Sequence, residues 1–287
     1  MGYELWTSRI TGYGRTGTRV SELRGLFEVA ITARIIQEPL KACFYNDEAL
    51  IVGEELRRLG FDITGIKRDE NSKIEGYVKG ADLTTGRCSQ YVNPISPLDL
   101  IAESTPLIKV LDVLREKMHV FVLVGDEVAG IITRADLQKP PVRILLFGLI
   151  SLFEMHLTYQ IRKCYPAESW VEILPESRLQ MAKDLLEKRK GRNEEIDLLS
   201  CLQITDKKTL MLASEEMRDH FGFLVIKTAE QILTRVGKIR DKLAHSQDLV
   251  AGTTWEEIID VSVAVQDMLE RSDRLIEETA TCGVESK

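Results

Sequence analysis

The strongest constraint on this chain is that part of it is written twice. GYVKGADL at 76–83 and GIITRADL at 130–137 share a leading glycine, two apolar residues and Ala-Asp-Leu at equal spacing, 54 residues apart. A helical pattern and then a strand precede each copy: EALIVGEELRRLG (48–60) and FDITGI (61–66), then LIKVLDVLREKM (107–118) and HVFVLV (119–124). The charged insertions KRDENSKIE and GDEVA supply hairpin turns between the two strands of each copy. Helix, strand, hairpin, strand and a step into another helix describe a small α/β unit. Two such units bury sheets against each other that neither buries alone.

The rest of the chain divides around this repeat. Residues 1–25 form a Gly/Arg-rich arm in which Arg9, Arg15 and Arg19 alternate with Gly12, Gly14 and Gly17. This pattern suits either a solvated terminus or a fold over polyphosphate. The repeat pair occupies 26–139, with copies at about 36–88 and 98–139. After Pro140-Pro141, which disfavours helix before it and suits a first helical turn after it, helical spacing dominates 140–287. Helices are predicted over 177–190, 194–204, 219–245 and 254–278, the last opened by the capping-box pair Thr254 and Glu257. The predicted fold class is therefore α+β: small α/β repeats followed by an all-α bundle.

Composition removes several classes of function. With 38 basic and 45 acidic residues in 287, a net charge of −7 and 44% hydrophobic content, the chain is neither disordered nor coated for duplex DNA. The apolar run ILLFGLISLF (144–153) is ten residues long, half of what a membrane span needs, and reads as a core or subunit-contact helix. No secretory h-region opens the sequence, and the five cysteines show no CxxC spacing. A cytoplasmic protein with no metal site, no membrane partner and no required cofactor is the expectation. His119, His156 and His220 are read as lacking carboxylate or cysteine neighbours at ligand spacing, so core or surface roles are expected for them.

The duplicated element resembles the signature of tandem cystathionine β-synthase (CBS) domains: glycine, two apolar residues, Thr or Ser, two variable residues, Asp. Gly130 to Asp136 matches in full, whereas the first copy keeps Gly76 and Asp82 but carries Lys79 at the hydroxyl position. The resemblance covers roughly 110 residues and implies an adenine nucleotide (AMP, ADP, ATP or a related adenosine compound) as a regulatory ligand. At such a site Thr133 presents its hydroxyl and helix-start amides to phosphate. Asp136 accepts from a ribose diol, and Val120 and Val122 line the adenine. Lys79 and Asp82 form the first half-site. Thr133 and Asp136 equally suit a simple helix cap.

In the helical region, Arg240-Asp241-Lys242-Leu243-Ala244-His245 is similar to the Arg, polar, spacer, His motif of HEPN domains, at the end of a long penultimate helix. That resemblance implies a homodimer and, in catalytic members, metal-independent cleavage of single-stranded RNA. There His moves a proton and Arg stabilises the phosphorane. Residues five apart on a helix are separated by about 140°, so either the helix distorts near Ala244 or two subunits join their motifs. His245 at a helix end and an Arg240 pairing with Glu230 or Asp241 are the plainer alternatives. The resulting expectation is an adenine-nucleotide sensor that controls a helical dimer. A non-catalytic adaptor, or a dimerisation scaffold, is the rival.

Overall fold

The computed structural model describes residues 25, 27, 29–192 and 196–282. The arm residues Arg9, Arg15, Arg19, Gly12, Gly14 and Gly17 lie outside the described residues. The chain is mixed α+β. It divides into two compact units, one spanning Phe27–Pro141 and the other containing Val142–Lys287.

The first unit contains two four-stranded sheets built to one plan. Strands β2 (Ala42–Phe44), β3 (Ile63–Lys67), β4 (Gly76–Lys79) and β5 (Asn93–Pro94) lie side by side in that order. The second sheet has β6 (Leu100–Ala102), β7 (His119–Val124), β8 (Glu127–Thr133) and β1 (Glu38–Pro39) in the matching order. In each, the first pair is parallel and the other two are antiparallel. The parallel pairs are joined through helices, α1 (Ala49–Leu59) and α2 (Leu107–Glu116), as parallel neighbours require. Register repeats as well: Lys79 faces Ile63 in one sheet, and Thr133 faces His119 in the other.

Each sheet is closed by a two-residue edge strand bearing a proline, where a missing N–H is tolerated. Pro94 lies against Gly76, and Pro39 against Gly130. At Gly76 the glycine follows from that approach, and at Gly130 a side chain would only displace the end of Gln37. A Cβ on Gly76 would stand 2.7 Å from the Asn93 carbonyl oxygen, and one on Gly130 would stand 2.3 Å from Gln37 Oε1. Beneath the first sheet, α1 buries Ala49, Gly53 and Leu56 and stops at Gly60, whose φ of +69° is the left-handed C-cap glycine accepts. Cys43 and Cys88, far apart in sequence, share this core; the Cys43 thiol donates to the Gly65 carbonyl at 3.5 Å, and burial followed by Cys88 pushes it up to about 12.

The second unit is helical among the described residues: α3 (Pro140–Cys164, which begins at the boundary), α4 (Glu176–Lys190), α5 (Ile204–Ala213), α6 (Glu215–His220), α7 (Ile226–Ala244) and α8 (Trp255–Cys282). Two predicted helices are corrected. Within 194–204, residues 194 and 195 lie outside the described residues, and 196–203 yield only a short 3-10 turn, Leu199–Cys201, before α5 begins at Ile204. There buried Asp197 accepts from the Ser200 amide and hydroxyl and from Arg162, which competes with helical pairing. The span 219–245 is interrupted at Gly222, whose φ is +80°, so α6 and α7 are separate.

By length and composition α3 is able to cross a membrane, although its unbroken apolar run is only ten residues long; 56% of its most apolar window is buried within the protein. Its polar residues are partnered inside: His156 Nδ1 is 2.9 Å from Ser272 Oγ, and Gln160 donates to the same oxygen at 3.2 Å. Burial lowers the His156 pKa from 6.5 to about 4. Between those values the unfolded chain takes up a proton that the folded chain refuses, so stability falls as pH drops from 6.5 towards 4. The loss from this group is about 3 kcal/mol. Urea denaturation across that range is expected to show a steep slope in the wild type. In His156→Asn the slope should flatten by this amount, whatever the offset at neutral pH; parallel slopes would refute the assignment.

Candidate functional site

The second copy of the motif is a strand-to-helix step. β8 ends at Thr133, and a 3-10 helix, Arg134–Gln138, follows at once. Asp136 is 8% exposed and reaches back to its own N-cap residue. Its Oδ2 accepts the Thr133 amide at 2.7 Å and the Thr133 hydroxyl at 3.0 Å. Its Oδ1 lies 2.8 Å from Lys139 Nζ. Lys139 also donates to the Ile36 carbonyl and pairs with Glu38 on edge strand β1. Thr133 and Asp136 therefore act as a cap, and a ribose diol on Asp136 would compete with Lys139 for the carboxylate. Arg134 donates to the Leu114, Arg115 and Lys117 carbonyls, placing a cation at the C-terminus of α2.

The first copy differs in kind. Lys79 and Asp82 are exposed, and Asp82 closes a turn onto the Lys79 carbonyl instead of opening a helix. Among the described residues, no lysine holds this carboxylate as Lys139 holds Asp136. The two copies meet at aromatic rings: Tyr77 lies 5.1 Å from Phe121 and 5.8 Å from His119, centroid to centroid. Lys79, two residues beyond Tyr77, is close enough to act on His119 electrostatically. Burial, then Lys79 and Lys117, lower the His119 pKa against an opposing pull from Asp99. Lys79, His119 and Thr133 thus gather around one edge of the paired repeats, and local spacing gives no sign that His119 belongs there. Val120 and Val122 are fully buried, so their side chains belong to the core and only the backbone of β7 remains for an adenine.

In the helical unit, α7 stays regular to Ala244, and His245 is its exposed C-cap. The chain then closes a Schellman turn. The Ser246 amide bonds to the Leu243 carbonyl, and Gln247 to Lys242, with Ser246 at φ +53°. Arg143 on α3 donates to the Gln247 carbonyl at 2.9 Å and the Lys242 carbonyl at 3.3 Å, so a cation fixes this helix end. A non-glycine residue in the left-handed region stores strain beside His245. Arg240 is 3.3 Å from its neighbour Asp241, so these two side chains are paired, while His245 meets Asp241 through the helical bond from its amide to the Asp241 carbonyl.

The expectation for His220 is corrected. Glu216 lies one helical turn before it, 3.8 Å from Nε2, and the fold adds Cys164 from the end of α3. The i, i+4 spacing of Glu216 and His220 is legible in the sequence; the approach of Cys164, 52 residues upstream of Glu216, is not.

No family model matches the sequence, and no curated protein matches it. Solved structures similar to the N-terminal part include CBSX2 in complex with AMP, at 21% identity over 40% of this chain and 99% of that one, TM-score 0.35. The CBS domain of the bacterial CNNM/CorC family Mg2+ transporter in complex with ATP is 17% identical over 41% and 91%, TM-score 0.34. A CBS domain-containing protein of unknown function from Bacillus anthracis str. Ames Ancestor is 13% identical over 42% and 96%, TM-score 0.35. The AMP and the ATP belong to those two structures.

The contrast between the two carboxylates is measurable without ligand. Asp136→Ala removes a cap and a charge-assisted partner and is expected to cost about 1–2 kcal/mol in chemical denaturation. Asp82→Ala, at an exposed turn, is expected to stay within about 0.5 kcal/mol of wild type. Equal losses would show that the capping geometry of the second copy does not operate in solution.

Proposed function

We propose that this chain is a regulatory protein in which a tandem CBS pair, Phe27–Pro141, takes up an adenine nucleotide and sets the state of the helical unit. The observation that carries the reading is the two sheets of identical strand order, each ending its third strand at the motif hydroxyl position, Lys79 or Thr133. In this reading phosphate is met by Lys79, the Thr133 hydroxyl and the amides that follow it. Ribose is held by Asp136, which releases Lys139. That exchange falls one residue before Pro140, where α3 begins. Coupling requires that nucleotide bind the two states of this switch with different affinity.

Calorimetric titration of the full chain with AMP, ADP and ATP tests the proposal. A saturable heat is expected with at least one, weakened about tenfold by Asp136→Ala, roughly the loss of one charge-assisted hydrogen-bond partner. Lys79→Ala is expected to weaken the triphosphate more than the monophosphate. Absence of heat with all three overturns the nucleotide reading.

For the helical unit, the finer proposal is a HEPN-type dimer in which Arg240 and His245 of two copies assemble one metal-independent RNA-cleaving site. Its support is the strained, clamped helix end that fixes His245, and the exposed Ile144 and Phe147 one turn apart on α3 as an apolar contact face. The Arg240–Asp241 pair favours the rival, a non-catalytic adaptor, because it occupies the guanidinium. Chelator-treated protein incubated with labelled single-stranded RNA, with and without nucleotide, separates them. Cleavage is expected to fall about 100-fold or more in His245→Ala, and light scattering should give a dimer. Equal behaviour of wild type and variant leaves the adaptor.

A further inference from the structure

Outside both of these sites, three side chains of metal-binding chemistry converge in the helical unit. Cys164 is the last residue of α3, and Glu216 and His220 share one face of α6. One ligand atom from each lies within 4.8 Å of the other two, and Glu216 Oε1 is 3.8 Å from His220 Nε2. Neighbouring ligands of a tetrahedral zinc ion stand about 3.3–3.8 Å apart, given bonds of roughly 2.0–2.3 Å. The Glu216 side chain is 64% exposed and is free to make the remaining adjustment.

A further observation points at a ligand here. His220 Nδ1 is buried and has no hydrogen-bond partner among the described residues. The Cys164 sulfur and a Glu216 carboxylate oxygen also lie within 4.8 Å of each other, so a soft and a hard donor adjoin. A thiol gives up its proton when it takes a metal ion.

We propose that Cys164, Glu216 and His220 form a zinc-binding site that ties the end of α3 to α6. The donor set selects the ion. A thiolate and an imidazole exclude magnesium and calcium, which take oxygen cages, and one sulfur, one nitrogen and one oxygen suit zinc. Three protein ligands leave the fourth position to water or to an incoming group. The site is independent of the nucleotide reading, because none of its residues lies in the repeat pair.

The test uses the full chain, stripped with chelator and titrated with zinc against a chromophoric competitor. One zinc per chain is expected, with a raised Tm, since a ligand bound only to the native state stabilises it. Cobalt(II) in its place is expected to give a thiolate-to-metal charge-transfer band and the intense visible bands of tetrahedral coordination. Cys164→Ser should abolish the thiolate band, and His220→Gln and Glu216→Gln should each weaken zinc about tenfold or more. Glu216→Gln, at an exposed position, guards against misfolding as the cause, with circular dichroism as the control. Zinc binding that is absent in the wild type, or unchanged in Cys164→Ser, overturns the proposal.

Discussion

The first unit depends on two close backbone approaches. A short, proline-bearing segment crosses Gly76 in one sheet and Gly130 in the other; a side chain would meet the Asn93 backbone at Gly76, and the end of the Gln37 side chain and Val122 at Gly130. Closing the second sheet takes β1, which comes from upstream of the first repeat, so the chain encloses one copy of its duplicated element between parts of the other. The second sheet is not complete without that segment, whereas the first is built from consecutive strands and closed by β5. This is the physical sense in which the pair is one folding unit and not two modules in a row.

Equal frames then carry unequal sites. In the second copy the motif hydroxyl and carboxylate are locked to each other and to Lys139. In the first copy Lys79 and Asp82 are exposed and bound by a turn alone. The charge of Lys79 bears on His119 of the other repeat. Arg134 acts elsewhere. Its guanidinium satisfies the last carbonyls of α2, which explains a basic residue inside the motif without any appeal to ligand.

The helical unit follows a similar logic at its helix ends. Arg143 closes the C-terminus of α7 and, with the left-handed Ser246, sets the direction in which the chain leaves His245. On α3 the buried polar pair His156 and Gln160 meets Ser272, which gives partners to groups that would be costly in an apolar helix. At the far end of the same helix, Cys164 faces Glu216 and His220.

Local pattern by itself determined the repeat, the strand His119–Val124, the helices of both copies and the glycine-led step, because 3.6- and 2-residue periods and turn residues act over a few positions. It also marked Thr133 and Asp136 as a pair, since a cap and a phosphate step call for the same side chains. It misjudged 194–204 and 219–245, where Asp197 and the positive φ of Gly222 override helical spacing. Only the tertiary structure decided that Lys139 occupies Asp136, that Val120 and Val122 are core, that His119 neighbours Lys79, and that Cys164 reaches His220. Each of these joins residues through a strand register or a helix packing that no local period encodes, and burial, which sets their chemistry, exists only once distant segments have closed over them.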